Sequence, residues 1–306
     1  MINTYKHKKL TWVDLESPTK DEIIEVMNKY KIHPLVAEGL LTPNMKPRVE
    51  LYKDFIYMIL HFPVIKRGRD DQNGKSQEVD FIIGKNYIIT TRFDLIDPLH
   101  EFSKIFEVNS ILDKSHLGDH AGFIFYHMIK RLYHSTVDEL TYVRDSLNRI
   151  ENGIFSGNEH NMVFELSKVG RELLNFKNTL ALHGEILESF EIAGKQFFKE
   201  DFGYYLRSIT GEYCKIHTLI QGETECVAEL RETNNSMLST KQNEVIRKLT
   251  AISFVTLPVG LVIALFEINA KSLPIVGMTG DFWILLVLFV LTGLGLISWL
   301  KRNKWL

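Results

Sequence analysis

Apolar and polar residues alternate along this chain with three different periods, and each period predicts a different kind of element. From Trp12 to about Arg92 the runs are short and rich in β-branched and aromatic residues: LYKDFIYMILHF from Leu51 to Phe62, and VDFIIGKNYIITT from Val79 to Thr91. The second is split by Gly84-Lys85-Asn86, which predicts a β-hairpin. Before them, PTKDEIIEVMNKY predicts an amphipathic helix over Pro18 to Tyr30, with Ser17 as its cap and acids in its first turn. The charged stretch Lys66 to Lys75 predicts a solvated loop.

From about Gly118 the spacing lengthens to three and four residues, as in Leu166, Val169, Leu173 and Leu174, and no proline occurs between Pro98 and Pro258. Breaks near Gly153 to Gly157 and near Lys195 to Gly203 predict long helices folded back on one another. The last is expected to run unbroken from near Phe202 to Phe266, a rod of roughly 100 Å. A rod of that length is stable only along neighbours, which predicts an oligomer of bundled rods.

The third pattern has no polar face. LTAISFVTLPVGLVIALF, Leu249 to Phe266, and FWILLVLFVLTGLGLISWL, Phe282 to Leu300, carry no charge in 18 and 19 residues. Each is long enough to cross a hydrocarbon core of about 30 Å. Trp283 and Trp299 stand near the two ends of the second segment, where indoles favour the interface. Arg247 and Lys248 precede the first span, and Lys301, Arg302 and Lys304 follow the second, so both termini are expected on the cytoplasmic side and the connecting loop outside. Pro258 interrupts the first span and Gly260 follows it, which fits either a kinked lipid-facing helix or a pore-lining one with close neighbours.

Composition changes this picture little. The chain has 306 residues, 36 basic against 38 acidic, and 45% hydrophobic content. A net charge of −2 excludes a strongly basic nucleic-acid binder and an acidic disordered chain. Cys214 and Cys226 form no secreted disulfide framework, and the N-terminal MINTYKHKKLTWVDL has no apolar run of a signal peptide. No phosphate loop, metalloprotease pair or nucleophile elbow is present, so no enzyme activity and no catalytic cofactor are expected. His120, His127 and His134 recur every seven residues, about 10 Å apart along a helix and too far to share one ion. His116 with His120, and Cys214 with His217, are spaced as half-sites for a metal.

Several short words in order carry a family resemblance: Trp12-Val13-Asp14-Leu15, then Ile32 to Glu38 (IHPLVAE), Pro47 to Tyr52 (PRVELY), Phe81 to Arg92 (FIIGKNYIITTR), and Asn235 to Asn269 with its Lys-Leu-Thr entry and internal proline. Over nearly its whole length the chain resembles the CorA family of divalent-cation transport proteins. The resemblance implies a homopentameric funnel in a prokaryotic inner membrane: an α/β cytoplasmic domain over 1–115, a helical hairpin over 116–200, a stalk helix over 201–248 and a transmembrane hairpin over 249–306. In that hairpin a first span, 249–268, lines the pore, an outer loop covers 269–281, and a second span, 282–300, lies outside it.

It also implies roles. Glu267, Ile268 and Asn269 stand where the family has its Gly-Met-Asn mouth, and only the asparagine is kept. A ring of amide oxygens suits hydrated Mg²⁺, which gives up water reluctantly. Counting back in turns, Leu257 and Gly260 face the axis, Ile246 and Leu249 form a hydrophobic constriction, and Asn243 lies just below. Asp94 and Asp97 are the candidates for a cytosolic regulatory metal. The cargo implied is Mg²⁺, with Co²⁺ or Ni²⁺, and the partners are lipid and further copies of the chain. Leu273-Pro274 and Gly280 to Trp283 resemble the family's zinc-transporting, proton-coupled branch, which stays an alternative, as does a membrane-anchored sensor that does not conduct.

Five copies of Glu267 would add five carboxylates at the mouth and make cation entry more dependent on salt. Glu267→Gly should therefore flatten the ionic-strength dependence of ion uptake, measured at low and high salt; the same dependence in both proteins would show that Glu267 points away, toward Lys271.

Overall fold

The computed structural model describes residues 1–44, 46–63, 76–94, 96–112, 118–266 and 281–302. The loop expected at 66–75, His116 and the mouth residues Glu267, Ile268 and Asn269 lie outside the described residues. The chain divides into two units, Met1–Arg231 and Glu232–Leu306.

In the first unit, six strands form one sheet in the order β1-β2-β6-β5-β4-β3. They are β1 (Ile2–His7), β2 (Leu10–Glu16), β3 (Arg48–Leu51), β4 (Phe55–Phe62), β5 (Gln77–Gly84) and β6 (Tyr87–Arg92). The expected hairpin is β5–β6, turning at Lys85-Asn86, and the other long run is β4, preceded by the short edge strand β3. All pairs are antiparallel except β2 with β6, where Asp14 stands opposite Thr90 and Glu16 opposite Arg92. β4 is buried along its whole length, so it shows no alternation.

Helices cover both faces. On one, α1 (Lys20–Tyr30) and α2 (Pro34–Gly39) pack Ile23, Val26 and Val36 against Val13, Tyr57, Ile59, Ile82 and Ile89. α1 begins two residues later than expected: Thr19, not Ser17, is the cap, accepting from the Glu22 N–H while the Glu22 carboxylate accepts from the Thr19 N–H at 2.8 Å. On the other face lie α3 (Asp97–Leu112), α4 (Ala121–Phe155) and α6 (His183–Phe198). Trp12 meets Phe102 and Phe106 of α3, Phe81 meets Phe125 of α4 edge-on, and Phe62 meets His183 of α6.

The expected hairpin over 116–200 is three helices, because α5 (Glu159–Leu180) ends at a turn over Ala181-Leu182 that neither glycine nor proline marks. A short 3₁₀ turn (Glu200–Phe202) then leads into α7 (Gly203–Phe266). In the first unit α7 buries Leu206, Ile209, Tyr213, Ile216, Ile220, Glu223, Val227 and Leu230, alternating steps of three and four that make a coiled-coil seam. α4 carries the same rhythm in Thr136, Leu140, Val143, Leu147, Ile150 and Ile154. The two helices run parallel: Tyr126 reaches Ser208 at 3.5 Å, and three turns or more along, Arg144 Nε donates to Glu223 at 2.7 Å. Gly194 of α6 lets Leu206 approach, since a Cβ there would lie 2.7 Å from its side chain.

One buried ion pair closes the parallel strands. Arg92 Nε and Nη2 donate to Asp14 Oδ2 at 3.2 and 3.1 Å, and Nη2 also donates to Glu16 at 2.9 Å. Thr90 donates to Asp14 Oδ1 at 2.7 Å and accepts from Trp12 Nε1 at 2.9 Å. Removing one partner strands the other charge. Asp14→Ala should cost about 3 kcal/mol and lower the melting midpoint by roughly 6–12 °C, and Asp14→Leu with Arg92→Met should recover most of it, both read by calorimetry of the full chain.

Candidate functional site: an apolar helix with one polar-to-apolar face

The second unit contains α7 from Glu232 and α8 (Asp281–Arg302). Both helices are long and apolar enough to cross a membrane, by length and composition. Their side chains are nearly all exposed on the single chain. Ile246 and Leu249 are each 59% exposed and Leu257 65%, and Val245, Ile252, Phe254, Leu261 and Ile263 point outward round the whole helix. A helix apolar on every side belongs in lipid or inside a bundle, because water does not tolerate so large an apolar patch on a monomer.

α7 and α8 touch where Phe254 stacks on Trp299, ring centroids 6.0 Å apart and planes 13° from parallel. That contact brings Arg247 and Lys248 of α7 to the same end as Lys301 and Arg302 of α8. Pro258 lies inside the continuous helix and withholds the N–H that the Phe254 carbonyl would otherwise receive. Thr250 and Thr256 donate their hydroxyls back to the carbonyls of Ile246 and Ile252 at 2.8 and 2.9 Å, so these polar groups need no water.

All five candidate lining residues fall on described helix. At about 100° per residue, Asn243, Ile246, Leu249, Leu257 and Gly260 occupy an arc of about 120°, and Asn243 to Gly260 spans about 26 Å. All five are exposed. A Cβ on Gly260 would meet no atom within 4 Å among the described residues, so the chain's own packing does not require this glycine. Two residues that counting in turns had not singled out, Thr250 and Ser253, share the arc. Their hydroxyls on one helical face were the available signal. Just before it, residues 233–240 (TNNSMLST) form an uncharged polar stretch.

The cytosolic candidates stand apart from each other. The Asp94 carbonyl accepts from Arg92 at 3.2 Å. Asp97 is the exposed first residue of α3, not a loop residue, at the rim of a cleft of about 370 Å³ with Glu101, Arg131, His134 and Asp138, where Arg131 pairs with Glu101. Among the described residues no group of three His, Cys, Asp or Glu is arranged to hold a metal. His120 is the N-cap of α4, accepting from the Gly122 N–H at 3.2 Å with its ring stacked on Phe198; burial holds its pKa below the usual range. It caps and packs, which accounts for a histidine at that position.

Comparison with known proteins bears on the whole chain. The family described as CorA-like Mg²⁺ transporter protein matches residues 7–302. The chain is 21% identical to the cobalt/magnesium transport protein CorA of Thermotoga maritima, over 97% of this chain and 83% of that one. Its fold is similar to the complete structure of the CorA magnesium transporter from Methanocaldococcus jannaschii, with a TM-score of 0.84 at 17% identity, covering 99% of this chain and 94% of that one. It is also similar to the ZntB cytoplasmic domain from Vibrio parahaemolyticus, with a TM-score of 0.63 at 12% identity over 76% of this chain and 89% of that one.

Proposed function

Because this chain belongs to the CorA-like Mg²⁺ transporter family, we propose that it carries divalent cations, Mg²⁺ first, across a membrane through a pore built from the α7 helices of five copies. One observation carries this reading: α7 leaves a packed seam and continues as an apolar helix that its own chain leaves uncovered, with one arc running from Asn243 through Ile246 and Leu249 to Gly260.

In a ring, that arc faces the axis. Asn243 supplies amide oxygens to a hydrated ion, and Ile246 and Leu249 close the path by excluding water when the helices draw together. Gly260, with open space around its Cα, suits close approach of copies. At the outer end Asn269 offers the amide ring and Glu267 the attracting charge, with Ile268 between them. The basic pairs at one end of the two spans support a cytoplasmic side for that end. A membrane potential of 100 mV then favours entry of a doubly charged cation by about 4.6 kcal/mol, so conduction needs no resident cofactor. Co²⁺, named for the Thermotoga relative, and Ni²⁺ are further cargoes of the same oxygen-lined path. Asp94 and Asp97 serve as regulatory metal ligands only with donors from a second copy.

The test is purified full-length protein in liposomes loaded with indicators for Mg²⁺ and Zn²⁺. Potential-driven Mg²⁺ entry is expected, and Leu249→Asn should raise resting flux about tenfold, the equivalent of lowering a barrier by about 1.4 kcal/mol. No flux of either ion would favour a membrane-anchored sensor. Zn²⁺ flux that requires a proton gradient would favour the zinc-transporting branch.

A further inference from the structure

A set of ionisable groups with no part in ion passage is buried in the first unit. Glu78 and Asp80, two residues apart on β5, leave the same face of the sheet, with His61 of β4 opposite Glu78 and Ile59 opposite Asp80. Asp80 is fully buried and Glu78 nearly so.

The two acids are treated unequally. Glu78 is held by Asn44, in the connection between α2 and β3: the Asn44 N–H donates to Oε2 at 2.6 Å, and Nδ2 lies 3.5 Å from Oε1. Asn44 Nδ2 also donates to the Gly39 carbonyl at the end of α2, at 2.9 Å. His61 Nε2 is 2.8 Å from the Asn44 carbonyl and 3.4 Å from Glu78 Oε2. A carbonyl only accepts, so Nε2 carries the hydrogen.

Asp80 receives far less. Its Oδ2 accepts from the Tyr57 hydroxyl at a long 3.4 Å, and its Oδ1 has no hydrogen-bond partner among the described residues. Arg48 of β3 is the cation on this side, but it lies over the Tyr57 ring at 5.5 Å and pairs with Glu50 at 3.3 Å. From β6, Thr91 stands opposite Asp80. α1 and α2 cover this face with Ile23, Val26, Val36 and Leu40, which offer no charge. Beside that long Tyr57 bond, the strongest neighbouring influence on Asp80 is therefore another acid, Glu78. Two acceptors facing each other out of water are stable when a proton lies between them.

We infer that Glu78 and Asp80 form a proton-binding site, holding one proton between them at neutral pH, and that its release loosens the Asn44 clamp on the α2–β3 connection. Burial, followed by the Glu78 charge, raises the Asp80 carboxyl well above its ordinary range, against weaker pulls from Tyr57 and Arg48. Glu78 is the shared member: it grips Asn44 on one side and faces Asp80 on the other, so a second charge on Asp80 pushes on the group that holds the connection.

The sign of the linkage follows. The folded chain binds a proton that the unfolded chain has released, so the folding equilibrium weakens about tenfold per pH unit from the ordinary carboxylate range up to the pair's own value, and is level beyond it.

The experiment uses the full chain in detergent between pH 5 and 9, with infrared spectroscopy of the carboxylic-acid C=O band and hydrogen exchange across residues 40–44, corrected for intrinsic rates. The wild type should show a buried protonated carboxyl at pH 7 that Asp80→Asn lacks. While that band persists, protection of residues 40–44 should fall about tenfold per pH unit and level off as pH removes the band, and in Asp80→Asn it should stay level. No such band in the wild type at pH 7, or the same pH dependence in Asp80→Asn, overturns the inference. Should Asp80→Asn fail to fold, Glu78→Gln, which offers Asp80 a donor in place of a rival charge, must move the loss of the band and the levelling of the protection to lower pH together; a shift of neither, or of one alone, is equally fatal.

Discussion

A backbone that leaves water must take its hydrogen-bond partners with it, and only a helix does so within one segment. α7 meets that constraint from Gly203 to Phe266 while its side chains change partners. Through Leu230 they fill a seam of three- and four-residue steps; from Ile246 onward they are apolar and uncovered. The backbone stays the same while the medium its side chains require changes. Pro258 is the place where the internal ladder is broken, and threonines that bond back to their own helix keep the remaining polar groups satisfied.

The seam in turn depends on the sheet. α4 runs beside α7, with Tyr126 on Ser208 and Arg144 on Glu223, and its first half is seated on β5 through Phe81 and Phe125. The sheet is held at its parallel joint by Arg92 and Asp14, a pair whose value is specific register more than net stability. Gly194 then sets how closely α6 and α7 approach. On the opposite face of the sheet, the Glu78–Asp80 pair gives it a pH-dependent grip on the connection after α2.

Much of this was legible in the sequence where a period was strong. The two uncharged segments, the last helix and the β5–β6 hairpin follow from run length, lack of proline between Pro98 and Pro258, and a two-residue turn. The start of α1 was displaced because Ser17 and Thr19 are both good caps, and only the reciprocal bond with Glu22 selects Thr19. The break between α5 and α6 at Ala181-Leu182 left no sign, since no helix-breaking residue stands at the turn. β1, β2 and α3 were not separated out either: they gain burial from partners distant in the chain, such as Trp12 against Phe102 and Phe106.

By itself, the sequence determined which residues share water and which share an apolar medium, because transfer free energy is a property of each side chain and sums along a run. It also determined the arc from Asn243 to Gly260, because helical geometry is local. Only the tertiary structure decided that Asp14 meets Arg92, that Glu223 pairs with Arg144, and that His120 caps a helix. It alone placed Glu78 beside Asp80 in a setting that gives Asp80 only one long hydroxyl bond, since two acids two residues apart on a strand are unremarkable until the faces around them are closed to water. Desolvation depends on everything that surrounds a group, and residues 44, 57, 61 and 91 reach that site from other parts of the chain.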